Sequence, residues 1–241
     1  VTVIIIGLGK KSIDKKQLFY LENGKLIEEN PNYISPYLVG SKKILSIVTE
    51  EHRAINGLPK MQNGSQPIDG GNYIFANEEK EEFLAKEPAA KSFLKPFLGA
   101  REYLYDVDRW ILDLHDIEPN VLQNLPETKK RINLVKLLRS KSKRGSTKKL
   151  ADTPTLWQIN LIPKKPFLVF PRHSSEKYVY VPIGYLEPPC IPGDAILIIE
   201  NTPMELFGLL TSKMHMIWIK TIGGKLETRY RYSKGVIYNT F

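Results

Sequence analysis

The sequence predicts an α+β fold of mixed helices and β-strands, and three observations carry that reading. Short β-branched or aromatic runs bounded by turn residues recur, such as RWILDL, FLVFP and AILIIE. Between them lie segments with apolar residues at helical spacing, NEEKEEFLAKEP and MELFGLLTSKMHMIWI. No internal repeat organises these pieces into a solenoid or propeller.

VTVIIIG (Val1 to Gly7) is apolar at every position but one and ends in Gly. That is the pattern of a strand buried on both faces, read as one strand of an α/β sheet whose remainder is missing. From Lys10 to Gly40 the pattern is irregular except for LFYLENGKLIEEN, a hairpin whose turn is Asn23-Gly24. ISPYLVG ends this lead-in. The stretch LPKMQNGSQPIDGGNYIF is polar, and Asn63-Gly64 and Asp69-Gly70-Gly71 let backbone approach other groups closely. Asn77 is expected to cap the helix NEEKEEFLAKEP, whose acidic first turn suits the helix dipole before Pro88 closes it. RWILDL (Arg109 to Leu114) is a strand.

The next segment is strongly basic. Ten lysines and arginines fall between Glu127 and Asp152 with no acid among them. Ile132, Val135 and Leu138, with Leu134 and Leu137 beside them, give its first half a helical face that can dock on a core. Periodicity is lost from Ser140 to Lys149, where Ser, Gly and Thr alternate with Lys and Arg, so the helix is expected to feed a mobile basic loop. Hydroxyls and cations mixed in this way suit phosphate oxygens. Further on, FLVFP (Phe167 to Pro171) and YVYVP (Tyr178 to Pro182) read as strands joined by the polar link RHSSEK, with AILIIE (Ala195 to Glu200) as a third. A helix over roughly Met204 to Ile219 precedes Gly223-Gly224, and the chain closes on RYRYSKGVIYNTF, aromatic and basic together.

Composition bounds the function. The chain has 241 residues, enough for a real core, and a net charge of +9 concentrated in the basic segment. A localised positive field holds a polyanion better than a spread one. A lone Cys190 excludes an internal disulfide and a Cys-rich zinc site, and His52, His115, His173 and His215 show no HxxxH or HxH spacing, so no metal is expected. No apolar run is long enough for a membrane span, and no signal-peptide pattern is present. The opening lacks an initiator Met, and the chain is expected to begin inside a larger cytoplasmic protein.

Four motifs have plainer explanations than chemistry. Gly7-Leu8-Gly9 lacks the third glycine of a dinucleotide fingerprint, since Ser12 stands there. Asn30-Pro31-Asn32-Tyr33 lacks the second proline of the Asn-Pro-Pro-aromatic motif of amino-methyltransferases. Around His173, Ser174, Ser175 and Glu176, neighbours on one short link point in different directions, which suits a groove reader better than a hydrolase triad. Lys213 to Trp218 (KMHMIW) reads as core. A nuclease or hydrolase acting on nucleic acid is the alternative, but it needs an Asp and ExK pairing on successive strands that is not found. An RNA-binding module would need an RNP-like signature, also not found.

Several stretches, NGSQPIDGGNYIF, EEKEEFLAKEPAA with FLKPFLGAREYL, RWILDL, KLADTP, LVFPRHSSEKYVYVPIGYL, FGLLTSKMHMIW and YRYSKGVIYNTF, fall in a telling order and spacing. Together they resemble the target recognition region of the MmeI-like, type IIL restriction-modification enzymes and the related adenine-specific DNA methyltransferases of bacteria. VTVIIIG with ISPYLVG is similar to the last strand of that family's methyltransferase core and the connection leaving it. The resemblance implies two parts: residues 1–45 as the end of the core with its connector, and residues 46–241 as a DNA target recognition domain. It implies double-stranded DNA as partner, with the core of the same polypeptide holding S-adenosylmethionine and methylating adenine. The fragment itself would be non-catalytic and hold no cofactor.

By the same resemblance, base-reading side chains cluster at Ser174, Ser175, Glu176, Lys177, Tyr178 and Tyr180, and near Lys143, Arg144 and Gly145. Glu176 can accept from a cytosine amine and Lys177 can donate to guanine. Family members often carry a basic residue two positions after the Glu, where this chain has Tyr178. Lys136, Arg139, Lys141, Lys148, Lys149 and Arg172 are expected at phosphates, and about six such contacts give a slope of log K against log salt near −5.

Overall fold

Asn23 and Gly24 both adopt positive φ (51° and 77°). This closes strands β1 (Leu18–Glu22) and β2 (Lys25–Glu29) into the hairpin the Asn-Gly pair predicts. The structure, a computed structural model, describes residues 4–9 and 16–241. Before the hairpin, Ile4, Ile5 and Ile6 form no strand and are exposed. A β-branched run becomes a strand only beside a partner backbone, and among the described residues none lies against it. Val1 to Val3 of the expected strand lie outside the described residues.

After a small ribbon of β3 (Tyr33–Ile34) and β4 (Gly40–Ser41) come β5 (Gln62–Asn63) and β6 (Ile74–Phe75). Helix α1 (Asn77–Lys86) starts one residue earlier than expected: Ala76 is its N-cap, and the Glu79 carboxylate accepts from the Ala76 N–H at 3.0 Å. Asn77 has other work, accepting from the Trp110 indole N–H at 2.7 Å. A 3-10 turn over Pro88–Phe93 then leads to β7 (Leu94–Leu98), α2 (Ala100–Tyr105) and β8 (Trp110–Leu112).

Helix α3 (Pro119–Gln123) leads into α4 (Pro126–Ser140) and α5 (Gly145–Lys149), which contain the basic segment. Pro126 opens α4, and the buried Glu87 carboxylate caps it from outside, accepting from the N–H groups of Glu127 (2.6 Å) and Thr128 (3.0 Å). A carboxylate at a helix N-terminus meets both the free donors and the dipole. Ile132 and Val135 face the core as expected, whereas Leu134, Leu137 and Leu138 stay exposed. The third inward position belongs to Arg139, which has no exposed surface. The stretch after Ser140 is not a loop throughout, because buried Thr147 pins α5.

With β9 (Phe167–Pro171), β11 (Gly184–Leu186), β12 (Ile191–Pro192) and β13 (Ile196–Glu200), two sheets of four strands form the body, ordered β11-β9-β13-β5 and β12-β7-β8-β6. The first is built on β9 and β13, both foreseen, which pair antiparallel along their whole length. Their alternation splits cleanly. Leu168, Phe170, Leu197 and Ile199 join one core with α6 and α7 (Met204–Leu210 and Lys213–Ile222). Phe167, Val169, Ile196 and Ile198 fill a second cluster on the other face. A third core, with Phe75, Ile111, Leu125 and Val135, lies under α4.

YVYVP is not a strand. β9 has two edges: β13 takes one and β11 (Gly184–Leu186) the other, so Tyr178 to Tyr180 are left as an exposed loop. The expected long C-terminal helix is two helices, because the Ser212 hydroxyl caps α7 through the His215 N–H (3.2 Å) while Thr211 Oγ1 donates back to the Phe207 carbonyl. β12 (Ile191–Pro192) runs parallel to β7, and the chain crosses to the first sheet at Gly193. There Gly64 lies so close that a Cβ would fall on the Gly193 carbonyl. β10 (His173–Ser174) forms a third sheet with β15 (Arg229–Arg231) and β14 (Lys225–Leu226).

Candidate nucleic-acid interface

The polar link after β9 is rooted by Arg172. Its backbone N–H donates to the Ala195 carbonyl (3.0 Å), its Nε to the Asp194 carbonyl (2.6 Å) and its Nη2 to the Asn63 side chain (2.8 Å). Arg172 is therefore half-buried and tied to β5 and to the 193–195 crossing, with two of its side-chain nitrogens committed to protein acceptors. His173 and Ser174 next pair with Arg231 and Tyr230. That pairing buries Ser174, which is only 3% exposed, so its hydroxyl is withdrawn from the base-reading set.

A tight turn then projects the remainder. Tyr178 N–H donates to the Ser175 carbonyl and Lys177 N–H to the Ser175 hydroxyl, both at 3.2 Å. Glu176, Lys177, Tyr178 and Tyr180 are all exposed on it. Hydrogen bonds from its own backbone and from Thr228, with Lys177 and Arg229 nearby, hold the Glu176 carboxyl below the usual range. It is thus an acceptor only, as a reader of base amines must be.

On the basic side, Lys136, Lys141, Lys143, Arg144, Gly145, Lys148 and Lys149 are all exposed around the end of α4 and along α5. Arg139 is the correction. Its guanidinium donates to the backbone carbonyls of Pro67 (2.7 Å), Ile68 (3.0 Å), Leu150 (2.9 Å) and Thr153 (3.2 Å). Such a side chain has no access to a phosphate. It fastens α4 and the turn after α5 to the 67–71 loop, over whose Gly70 the Leu138 side chain is laid.

A groove of about 480 Å³ lies between the loops that Arg139 and Arg172 anchor, and none of the candidate reading or phosphate residues lines it. Pro67 and Ile68, held by Arg139, line one part, and Asp194 and Ala195, held by Arg172, line another. Gly70 and Gly71 keep positive φ (61° and 83°) on its rim, a conformation suited to glycine.

Sequence reasoning missed Arg229 and Arg231. They flank the buried Tyr230 on β15, beside the turn from Ser175 to Tyr180. The Arg-Tyr-Arg-Tyr alternation carried the signal, since period 2 sends the tyrosines inward and the arginines out. Burial first, then Arg231, Arg229 and Arg172, pulls the His173 imidazole below its ordinary range.

Elsewhere, KMHMIW divides: His215 and Met216 are core, while Met214 and Ile217 are exposed. Among the described residues no group of three His, Cys, Asp or Glu side chains is placed to hold a metal ion, and no helix is long and apolar enough to cross a membrane.

The family described as MmeI, target recognition domain, matches residues 41–241. DNA methyltransferase A of Bacillus subtilis (strain 168) is 33% identical over all 241 residues, which span 27% of its length. A solved structure of the Type IIL restriction-modification enzyme MmeI in complex with DNA is 33% identical and superposes with a TM-score of 0.89, over 95% of this chain and 31% of that one. The chain thus spans about a third or less of each relative. With the family matched over most of the sequence and the mixed α and β architecture shared with MmeI, the chain belongs to the MmeI target recognition domain family.

Proposed function

We propose that the chain binds duplex DNA and selects its sequence, as the recognition part of an adenine-specific DNA methyltransferase or type II restriction-modification enzyme. The observation that supports this most is the likeness over 95% of the chain to an enzyme solved with DNA. The site adds a division of labour. Exposed Lys136, Lys141, Lys148 and Lys149 hold phosphates, and the turn from Ser175 to Tyr180, together with Lys143, Arg144 and Gly145, meets base edges.

Residues 1–45 form the end of a methyltransferase core in this reading, and residues 46–241 the recognition domain. Chemistry belongs to the core, which would hold S-adenosylmethionine. Gly7 and Gly9 lie in an exposed stretch without a strand, and a Cβ on Gly7 would meet nothing, so these residues do not fit a cradle for that cofactor. Neither the family match nor the shared architecture favours the nuclease alternative.

The test is to bind the purified chain to a pool of random-sequence duplexes, sequence the retained fraction and titrate salt. The expected result is enrichment of one short motif, with a slope of log K against log salt of magnitude about 4 or more, about 4 of it from the four exposed lysines. Retention without enrichment defeats the sequence-reading role. Cleavage of the pool in magnesium without any added protein supports the nuclease instead.

A further inference from the structure

We propose that the β14–β15 hairpin is a second phosphate-gripping surface, in which Arg229 and Arg231 hold the DNA backbone beside the reading turn. This rests on the chain being a duplex DNA reader. Along β15 the side chains alternate: Tyr230 is 8% exposed and packs in the core, while Arg229 and Arg231 stand out on the opposite face. Two residues of strand separate their Cα atoms by about 7 Å. That is comparable with the spacing of consecutive phosphates along a nucleic-acid strand.

Position ties the pair to the reading turn. β15 is the central strand of its sheet, and Arg231 lies directly across from His173 while Tyr230 lies across from Ser174. Continuing that antiparallel register brings Arg229 toward Ser175 and Glu176, and Arg229 does act on the Glu176 carboxyl. The strand is firmly mounted. The Tyr232 N–H donates to the Arg172 carbonyl (2.8 Å), the Tyr232 hydroxyl meets His215 Nε2 (2.8 Å), and the Arg231 N–H donates to the Gly224 carbonyl (3.0 Å). Planar guanidinium forks on a fixed strand are well arranged for phosphate oxygens.

Charge points to the occupant. Arg172, Arg229 and Arg231 all act on one imidazole, that of His173. Among the described residues Arg231 has no carboxylate partner, and Arg229 has only Glu227 at 2.9 Å, a pair exposed on both sides. Exposed pairs of this kind contribute little and exchange readily. With Lys177, these three arginines outnumber the carboxylates of Glu176, Glu227 and Asp194 beside them, and a polyanion relieves the repulsion that remains. Glu176, an acceptor set among them, suits amine-bearing base edges in an open major groove. Structured RNA closes that groove to side chains.

The experiment uses the whole chain and the random duplex pool, with Arg229→Gln, Arg231→Gln and the double variant beside Lys148→Gln/Lys149→Gln. Each arginine change is expected to lower the magnitude of the salt slope by about 1, and the double by about 2, with the enriched motif unchanged. A slope that falls for the lysine variant but stays fixed for the arginine variants overturns this inference and leaves the duplex-reading role intact. Failure of the wild-type chain to prefer duplex DNA over structured RNA overturns the underlying reading itself. If a Gln variant does not fold, the His173 imidazole of the wild-type chain decides by NMR. Phosphates at Arg229 and Arg231 raise its pKa on adding duplex, and an unmoved pKa rejects the contact.

Discussion

Arg172 donates from Nη2 to the Asn63 side-chain oxygen at 2.8 Å, joining the root of the reading turn to a strand more than a hundred positions earlier in the chain. A long-range bond of this kind positions a loop. Arg172→Gln is expected to blur the enriched motif while leaving the salt slope within error of wild type. In a double-mutant cycle with Asn63→Ala, the two side chains should couple by about 1 kcal/mol, measured by urea unfolding. A drop in slope equal to that of a lysine variant would return Arg172 to the phosphate set.

Arg139→Met removes a buried cation and strands four backbone carbonyls. A loss of about 3 kcal/mol or more in folding free energy is expected. Lys148→Gln and Lys149→Gln, on the exposed side of the same segment, should each stay within about 0.5 kcal/mol of wild type. Equal stability of Arg139→Met and the lysine variants contradicts the clamp.

Glu176→Lys exchanges an acceptor for a donor at the turn. The enriched motif is expected to change at one position, whereas Lys148→Gln/Lys149→Gln weakens binding to all sequences alike. Sequencing the bound pools for each variant checks this. Equal losses on every sequence for the Glu176 change refute the separation.

Burial pulls the His215 imidazole down to about 4 from its ordinary 6.5. The folded protein therefore holds this ring neutral where the unfolded chain protonates it. Stability is full above pH 6.5 and falls as pH drops toward 4, by about 3 kcal/mol from this group. His215→Gln should flatten urea-unfolding stability in that window by a similar amount, whatever its absolute value. An unchanged pH dependence would show that the ring is not held neutral.

How much of this was legible depended on whether local pattern or distant partners decided the outcome. FLVFP and AILIIE became β9 and β13 because alternating residues were apolar on both faces. The Asn23-Gly24 hairpin followed from its turn alone. YVYVP and the later GYL have similar β-propensity, and only competition for one edge of β9 chose between them. Arg139 and Lys136 look alike in a basic run. What separates them is a set of carbonyls, two of them some seventy positions away. At the site, Glu176 and Lys177 were readable in the polar link, Tyr178 and Tyr180 were read as a strand, and the burial of Ser174 came from its pairing with Tyr230.

The Arg139 clamp grips main chain at all four of its acceptors. It is therefore blind to the identity of the residues it binds. Pro67, Ile68, Leu150 and Thr153 can drift in sequence while the anchor persists, so neighbouring surface positions are free to diversify over evolutionary time without loosening the frame beneath them.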